Sequence, residues 1–411
     1  MKKKILAAIV IAMSLFAVTA CGAVEDDIVN PVITPEAVDM STATPAPVVT
    51  EAPTAEPTAT PEVLESGLLS GGEFNPIKDR EIVDGKMQSY LTGEWKDADV
   101  VQRRNLAIMV PNNPPAMPQY GISQASIIYE APVEGRITRL MCLFEDYDDL
   151  DKIGPIRSSR DYFVYESMAY DSIYCNWGLA VPFVKPIFDA YRVDNVSYPL
   201  EGQDVGRASE AFGRVSRPGY ATEFTAYMFI DGFNKAVERL GYAKTYEEHG
   251  RFEQAFLFAD EGYAATYDNC KDATIVRPGG TESNQGGYGQ NKAWFEYNEE
   301  DGLYYRFQYG DKQIDEFNGE QLAVSNVVFK ICGGEKKDPN SQYDYLGFGV
   351  HGTGEAYVFT NGKVIKGTWK RNSDYEANKF YDENGNEIVL NQGKTWFCCI
   401  WEQYKEYMSW E

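Results

Sequence analysis

A chain of 411 residues with 62 acidic and 38 basic side chains carries a formal net charge of −24. That balance weighs against nucleic acid or an anionic lipid surface as the main partner, although local basic pockets stay open. The length suffices for two domains. The cysteines show neither the spacing of a zinc site nor that of a small disulfide framework.

The chain begins with Lys2, Lys3 and Lys4, an apolar run from Ile5 to Val18, and then Thr19, Ala20 and Cys21. A basic start, a short apolar core and small residues before a cut site read as a secretory signal over residues 1–20, too short to span a bilayer. Val18-Thr19-Ala20-Cys21 resembles a bacterial lipobox, which implies lipid on the Cys21 sulfur and a place at the extracytoplasmic face of the cell membrane. Residues 21–99 read as a disordered stalk rich in Pro, Thr and Glu. No Lys or Arg occurs between Lys4 and Lys78, and few aromatics are available to offset the ordering entropy. Spaced prolines stiffen such a segment, which could reach on the order of 100 Å at about 3 Å per residue.

A first domain is expected over residues 100–255. Leu106 to Val110, Ser126 to Glu130 and Ile137 to Phe144 are runs apolar on both faces, as buried strands are. Helical spacing follows Ser158, with Phe163, Met168 and Ala169 on one side. It returns at Phe229, Phe233, Ala236, Val237 and Leu240. Strands interleaved with helices argue for a mixed α/β layer.

Residues 262–411 read as a mostly antiparallel β domain. Asp301-Gly302, Asn361-Gly362 and Asn384-Gly385 each separate alternating runs, and Asn-Gly is the strongest short-range hairpin signal. The fold class expected is therefore α+β. Cys142, Cys175, Cys270, Cys332, Cys398 and Cys399 read mostly as buried small hydrophobes, with disulfides as the lesser reading. Adjacent Cys398 and Cys399 would point to opposite faces of a strand.

Asn113 to Gln119, Gly121, Ile128-Tyr-Glu130, Glu134-Gly135, Ile137-Thr-Arg139 and Ile153 to Arg160 resemble the YerB-like lipoprotein family. So do Gly352 to Gly362, Gly367-Thr-Trp369 and Gly393 to Trp396. The resemblance covers nearly all of residues 104–405 in order. It implies a two-domain, membrane-anchored bacterial protein whose biochemical activity is not established. Family members tend to carry Pro-His where this chain has Pro218-Gly219, and a second Gly where it has Arg136, so no histidine mechanism carries over.

Two clusters could carry chemistry. Arg139 sits in an apolar strand and needs a carboxylate, with Glu130 and Glu134 the obvious partners. They would form either a structural ion pair or a cleft whose two carboxylates serve as general acid and base. Arg157 and Arg160 lie where a turn enters a helix that Ser158 or Ser159 could cap. They could hold a phosphate or carboxylate, or neutralise Asp161, Glu130 or Glu134 within the fold. Together Glu130, Glu134, Arg139, Arg157, Arg160 and Asp161 make one expected site.

No metal or cofactor is expected. His249 and His351 are the only histidines, and Gly279-Gly280 and Gly286-Gly287 lack the following Lys-Ser/Thr of a P-loop. The aromatic residues, Trp401 among them, read as core more than as sugar platforms. The functional expectation is a lipid-anchored binding or scaffold protein with an arginine- and glutamate-lined anion cleft. Its partners would be the membrane, through Cys21, and a cell-wall polymer or another envelope protein. The alternative is a hydrolase of a wall glycan or anionic ester that uses Glu130 and Glu134. A solute-capture lipoprotein is disfavoured by the β-rich second half.

Overall fold

The computed structural model describes residues 80–200, 203–250, 255–337 and 344–411, so the expected signal peptide, Cys21 and the stalk before Arg80 lie outside the described residues. Residues 80–99, expected as the end of the stalk, are folded. Lys86–Gln88 pairs with Trp95–Asp97, Leu91 is fully buried, and the Ser89 hydroxyl donates to the Glu145 carboxylate at 2.8 Å. Met87 and Leu91 give this stretch an apolar surface to bury.

The first half supplies strands β1 (Leu106–Pro111), β2 (Ile127–Pro132) and β3 (Thr138–Phe144), then helix α1 (Asp161–Met168) and strand β4 (Ile173–Asn176). Helix α2 (Val181–Asp189), strand β5 (Asn195–Ser197) and helix α3 (Ile230–Leu240) follow. β3 lies antiparallel between β1 and β2, while β4 joins β1, and β5 joins β4, in parallel. All residues of β1, β2 and β3 are buried, as runs apolar on both faces require. α3 buries Phe233, Ala236 and Val237 and stops at Gly241 in the left-handed region, the usual helix stop. Neither Ser158 nor Ser159 caps α1. Arg160 takes the cap position, and the Ser159 hydroxyl pairs instead with the Tyr174 hydroxyl at 2.7 Å.

The second half contributes β6 (Lys271–Asp272), β7 (Ile275–Arg277), β8 (Trp294–Asn298), β9 (Leu303–Gln308) and β10 (Asn326–Cys332). It continues with β11 (Gly352–Thr360), β12 (Lys363–Arg371), β13 (Lys379–Asp382), β14 (Thr395–Trp401) and β15 (Ser409–Trp410). The three turn signals sit where expected, with Gly302, Gly362 and Gly385 all at positive φ.

One eleven-stranded sheet runs through both halves, in the order β6, β12, β11, β10, β14, β2, β3, β1, β4, β5, with β13 also on β12. At its centre β14 lies parallel to β10 on one side and to β2 on the other. Its seven residues are all buried, so it could only be an interior strand. Trp396, Cys398 and Ile400 pack on one face with Ile108, Leu140 and Phe295. Phe397, Cys399 and Trp401 pack on the other with Met109, Met141 and Phe163. Cys398 and Cys399 thus point to opposite faces, as strand alternation demands. Among the described residues all six cysteines are free thiols, and only Cys270 is not buried. A smaller six-stranded sheet, which includes β7, β8, β9 and β15, covers the face that carries Trp396.

Candidate functional site

Alternation along β2 and β3 divides the expected residues. Glu130 pairs in register with Leu140 and Cys398 and shares their face, whereas Arg139 pairs with Ala131 and shares the face of Met141. Glu130 is therefore not the partner of Arg139. Its fully buried carboxylate accepts from Thr138 Oγ1 at 2.7 Å, Asn291 Nδ2 at 2.8 Å and Asn112 Nδ2 at 3.1 Å on one oxygen. The other oxygen accepts from Arg306 Nη2 at 2.7 Å and Trp396 Nε1 at 3.1 Å. The Arg306 guanidinium lies over the edge-to-face pair of Phe295 and Trp396, 4.7 and 4.9 Å from their centroids. Glu130 is a sealed hub that joins the two halves. It does not pair with Glu134, so the expected two-carboxylate arrangement is not formed.

The opposite face gathers Glu134, Arg139, Arg160 and Asp161. Arg160 grips the Glu134 carboxylate with Nε at 2.9 and 3.0 Å and also with Nη2. This is the bidentate geometry that suits a guanidinium. Asp161, in the first turn of α1, is paired with Lys337 from the second half. Arg139 donates Nη1 to the Ser158 carbonyl at 2.7 Å, and its buried Nε has no hydrogen-bond partner. Burial, and then the neighbouring Arg160 charge, press against the Arg139 cation, and Glu134 only partly offsets them. A guanidinium nonetheless stays protonated at neutral pH. Arg157 is not part of this group, because its Nη2 pairs with Glu223 at 3.1 Å and its guanidinium sits over the Phe224 ring.

Beside the cluster lies a cleft of about 450 Å³ between the two halves. One wall is Pro132 to Arg136, and the other combines Gly286, Gly287, Leu346 and Trp401 with polar Asn284, Lys336, Asp344 and Tyr404. The wall from Glu134 to Arg136 turns through left-handed backbone, with φ of 75° at Gly135 and 60° at Arg136. Gly287 packs so closely on Pro132 that any Cβ would collide with it. The glycine pair that makes no P-loop therefore serves as close-packed wall.

A second buried hub was not apparent in the sequence. Glu166 of α1 accepts from Lys330 Nζ at 2.7 Å and Asn378 Nδ2 at 2.7 Å, and pairs with Arg371 Nη1 at 3.3 Å. Burial raises the Glu166 carboxyl, but Lys330 and then Arg371 outweigh it and leave it below the ordinary value. Parity supplied some signal for the arginine of the Glu130 hub. Arg306 shares the buried face of β9 with Tyr304 and Gln308, at alternate positions of a run that otherwise reads as half exposed.

Fold and site together define an α+β chain whose two halves share one sheet, with arginine–carboxylate clusters at their junction. Residues 91–243 match the N-terminal domain, and residues 285–397 the C-terminal domain, of a family described as a protein of unknown function (DUF3048). The chain belongs to this YerB-like family. It is 27% identical over 318 residues to YerB of Bacillus subtilis (strain 168), a protein named as a candidate lipoprotein, covering 76% of this chain and 85% of the relative. The crystal structure of YerB from Bacillus subtilis superposes with a TM-score of 0.64 at 25% identity, covering 78% of this chain and 98% of that one.

Proposed function

We propose that this chain is a lipoprotein tethered by lipid on Cys21 at the extracytoplasmic face of the cell membrane, and that it binds an anionic ligand at the Arg139–Arg160–Glu134 cluster. The tether rests on the lipobox-like residues before Cys21 and on the name of the Bacillus relative. Among the described residues no helix is long and apolar enough to cross a membrane.

One observation carries the binding reading. Arg139 is only 7% exposed, its one hydrogen bond goes to a neutral carbonyl, and among the described residues no carboxylate lies within ion-pair distance of it. A buried cation without a counter-charge is costly, and a bound anion would relieve that cost. The neighbouring cations Arg160 and Lys337 are already matched by Glu134 and Asp161, so the surplus charge rests on Arg139. A cell-wall polymer or an envelope protein bearing phosphate or carboxylate groups suits such a site.

The test is a thermal melt of the purified protein with inorganic phosphate, muropeptides and teichoic acid fragments. A ligand at 100 times its Kd stabilises by about 2.7 kcal/mol, which should shift Tm by several degrees. Arg139→Gln should abolish the shift while the unliganded protein still melts cooperatively. A panel that leaves Tm unchanged with well-folded protein refutes the reading.

A further inference from the structure

Arg136 is an exposed arginine on the cleft wall with no hydrogen bond or ion pair among the described residues. Its rim neighbours are all matched: Glu134 by Arg160, and Lys336 by Asp344 at 2.7 Å. Arg136 also holds φ of 60°, a backbone region that costs any residue with a Cβ and that glycine fills without strain. Gly135 before it is already left-handed, at φ 75°. Two successive left-handed residues aim the short turn between β2 and β3 at the cleft, and the second of them carries a cation that nothing in the fold uses. Strain of this kind persists where the surrounding structure holds a residue in place for a task.

We infer that Arg136 is a ligand-binding residue that grips the carboxylate or phosphoryl group of a small organic anion whose apolar body rests in the cleft against Leu346 and Trp401. This rests on the anion-binding reading above and adds to it both the gripping residue and the ligand's build. A guanidinium offers paired N–H donors to either kind of anion. The cleft volume of about 450 Å³ lies within the usual range for small-ligand sites, roughly 300–1,000 Å³. Opposite Arg136 the glycine backbone, Leu346 and Trp401 stand beside polar Asn284 and Tyr404 and the mutually paired Lys336 and Asp344, with the Trp401 indole N–H already donated to the Gly347 carbonyl at 2.9 Å. Because Lys336 and Asp344 neutralise each other, no unmatched charge other than Arg136 faces the cleft among its described lining residues, and the ligand's second half should be uncharged.

The experiment measures binding to the full protein by calorimetry with N-acetyl-alanine, its uncharged amide, and phenyl phosphate, and records Tm without ligand. Wild-type protein should bind at least one of the two anions and not the amide. Which anion binds separates a carboxylate ligand from a phosphate ester. Arg136→Gly should weaken that binding at least tenfold and leave Tm unchanged or raised, because the left-handed strain is relieved. Arg136→Lys should keep binding within a few-fold. Equal binding by wild type and Arg136→Gly overturns the role of Arg136 and leaves the cluster reading intact. A fall in Tm of several degrees in Arg136→Gly shows a structural prop and also overturns it. Wild-type protein that binds neither anion overturns this inference, and the phosphate and polymer melts then decide the cluster reading separately.

Discussion

Two carboxylates buried in this chain are pushed in opposite directions by their surroundings. Glu145 is raised because burial outweighs the help of Lys96 and the Ser89 hydroxyl. Glu166 is lowered because Lys330 and Arg371 outweigh burial. A lowered acid contributes stability that is present above its unfolded pKa and is lost as pH falls through the folded value. A raised acid contributes in the reverse sense: its share is complete below the unfolded pKa and is lost as pH rises through the folded one. Glu166→Gln leaves Lys330 and Arg371 buried without their counter-charge and should cost about 3–5 kcal/mol near neutral pH. In urea melts the gap to wild type should narrow on acidification below the ordinary carboxylate range. Glu145→Gln should instead flatten the loss of stability on the alkaline side of that range. A pH-independent gap for Glu166→Gln would refute the assignment.

The hairpin between β11 and β12 illustrates what a short element demands. Asn361 and Gly362 have φ of 49° and 71°, the pair of positive values that a two-residue type I′ turn requires. Asn361 also accepts from the Tyr297 hydroxyl at 3.1 Å. A Cβ on Gly362 would stand 2.8 Å from the Tyr297 ring, whereas one on Gly385 would meet open space. Both substitutions to Ala force left-handed backbone on a residue with a Cβ, at about 1–2 kcal/mol. Gly362→Ala should therefore destabilise more than Gly385→Ala in chemical denaturation. Equal losses would show that the tyrosine moves aside freely.

Across the whole molecule, the family matches divide the chain between residues 243 and 285, yet the central sheet does not divide there. β2 from the first half hydrogen-bonds β14 from the second. Glu130 draws Arg306, Asn291 and Trp396 across the same boundary, and Glu166 draws Lys330 and Arg371. Residues 80–255 produced alone would expose the β2 edge and its apolar faces and strip Glu130 and Glu166 of their cations. That fragment should fail to fold. The full chain should unfold in one transition, seen alike by tryptophan fluorescence and far-UV circular dichroism. Two separated transitions would refute the coupling.

Local chemistry written along the chain determined much of this. The apolar runs of β1, β2 and β3, the helical spacing and glycine stop of α3, and the three glycine turns depend only on near neighbours, so they were legible without tertiary structure. For Arg160 the sequence left Asp161, Glu130 and Glu134 open as partners, and the fold pairs it with Glu134. Which face each side chain met was settled only by the sheet. A one-residue slip in register moves a side chain to the other side, so nothing along the chain set Glu130 apart from Arg139. The insertion of β14 between β10 and β2 likewise joins residues 266 positions apart at the Glu130–Trp396 contact. Contacts at that range follow from strand order, and strand order is a property of the packed whole rather than of any local run.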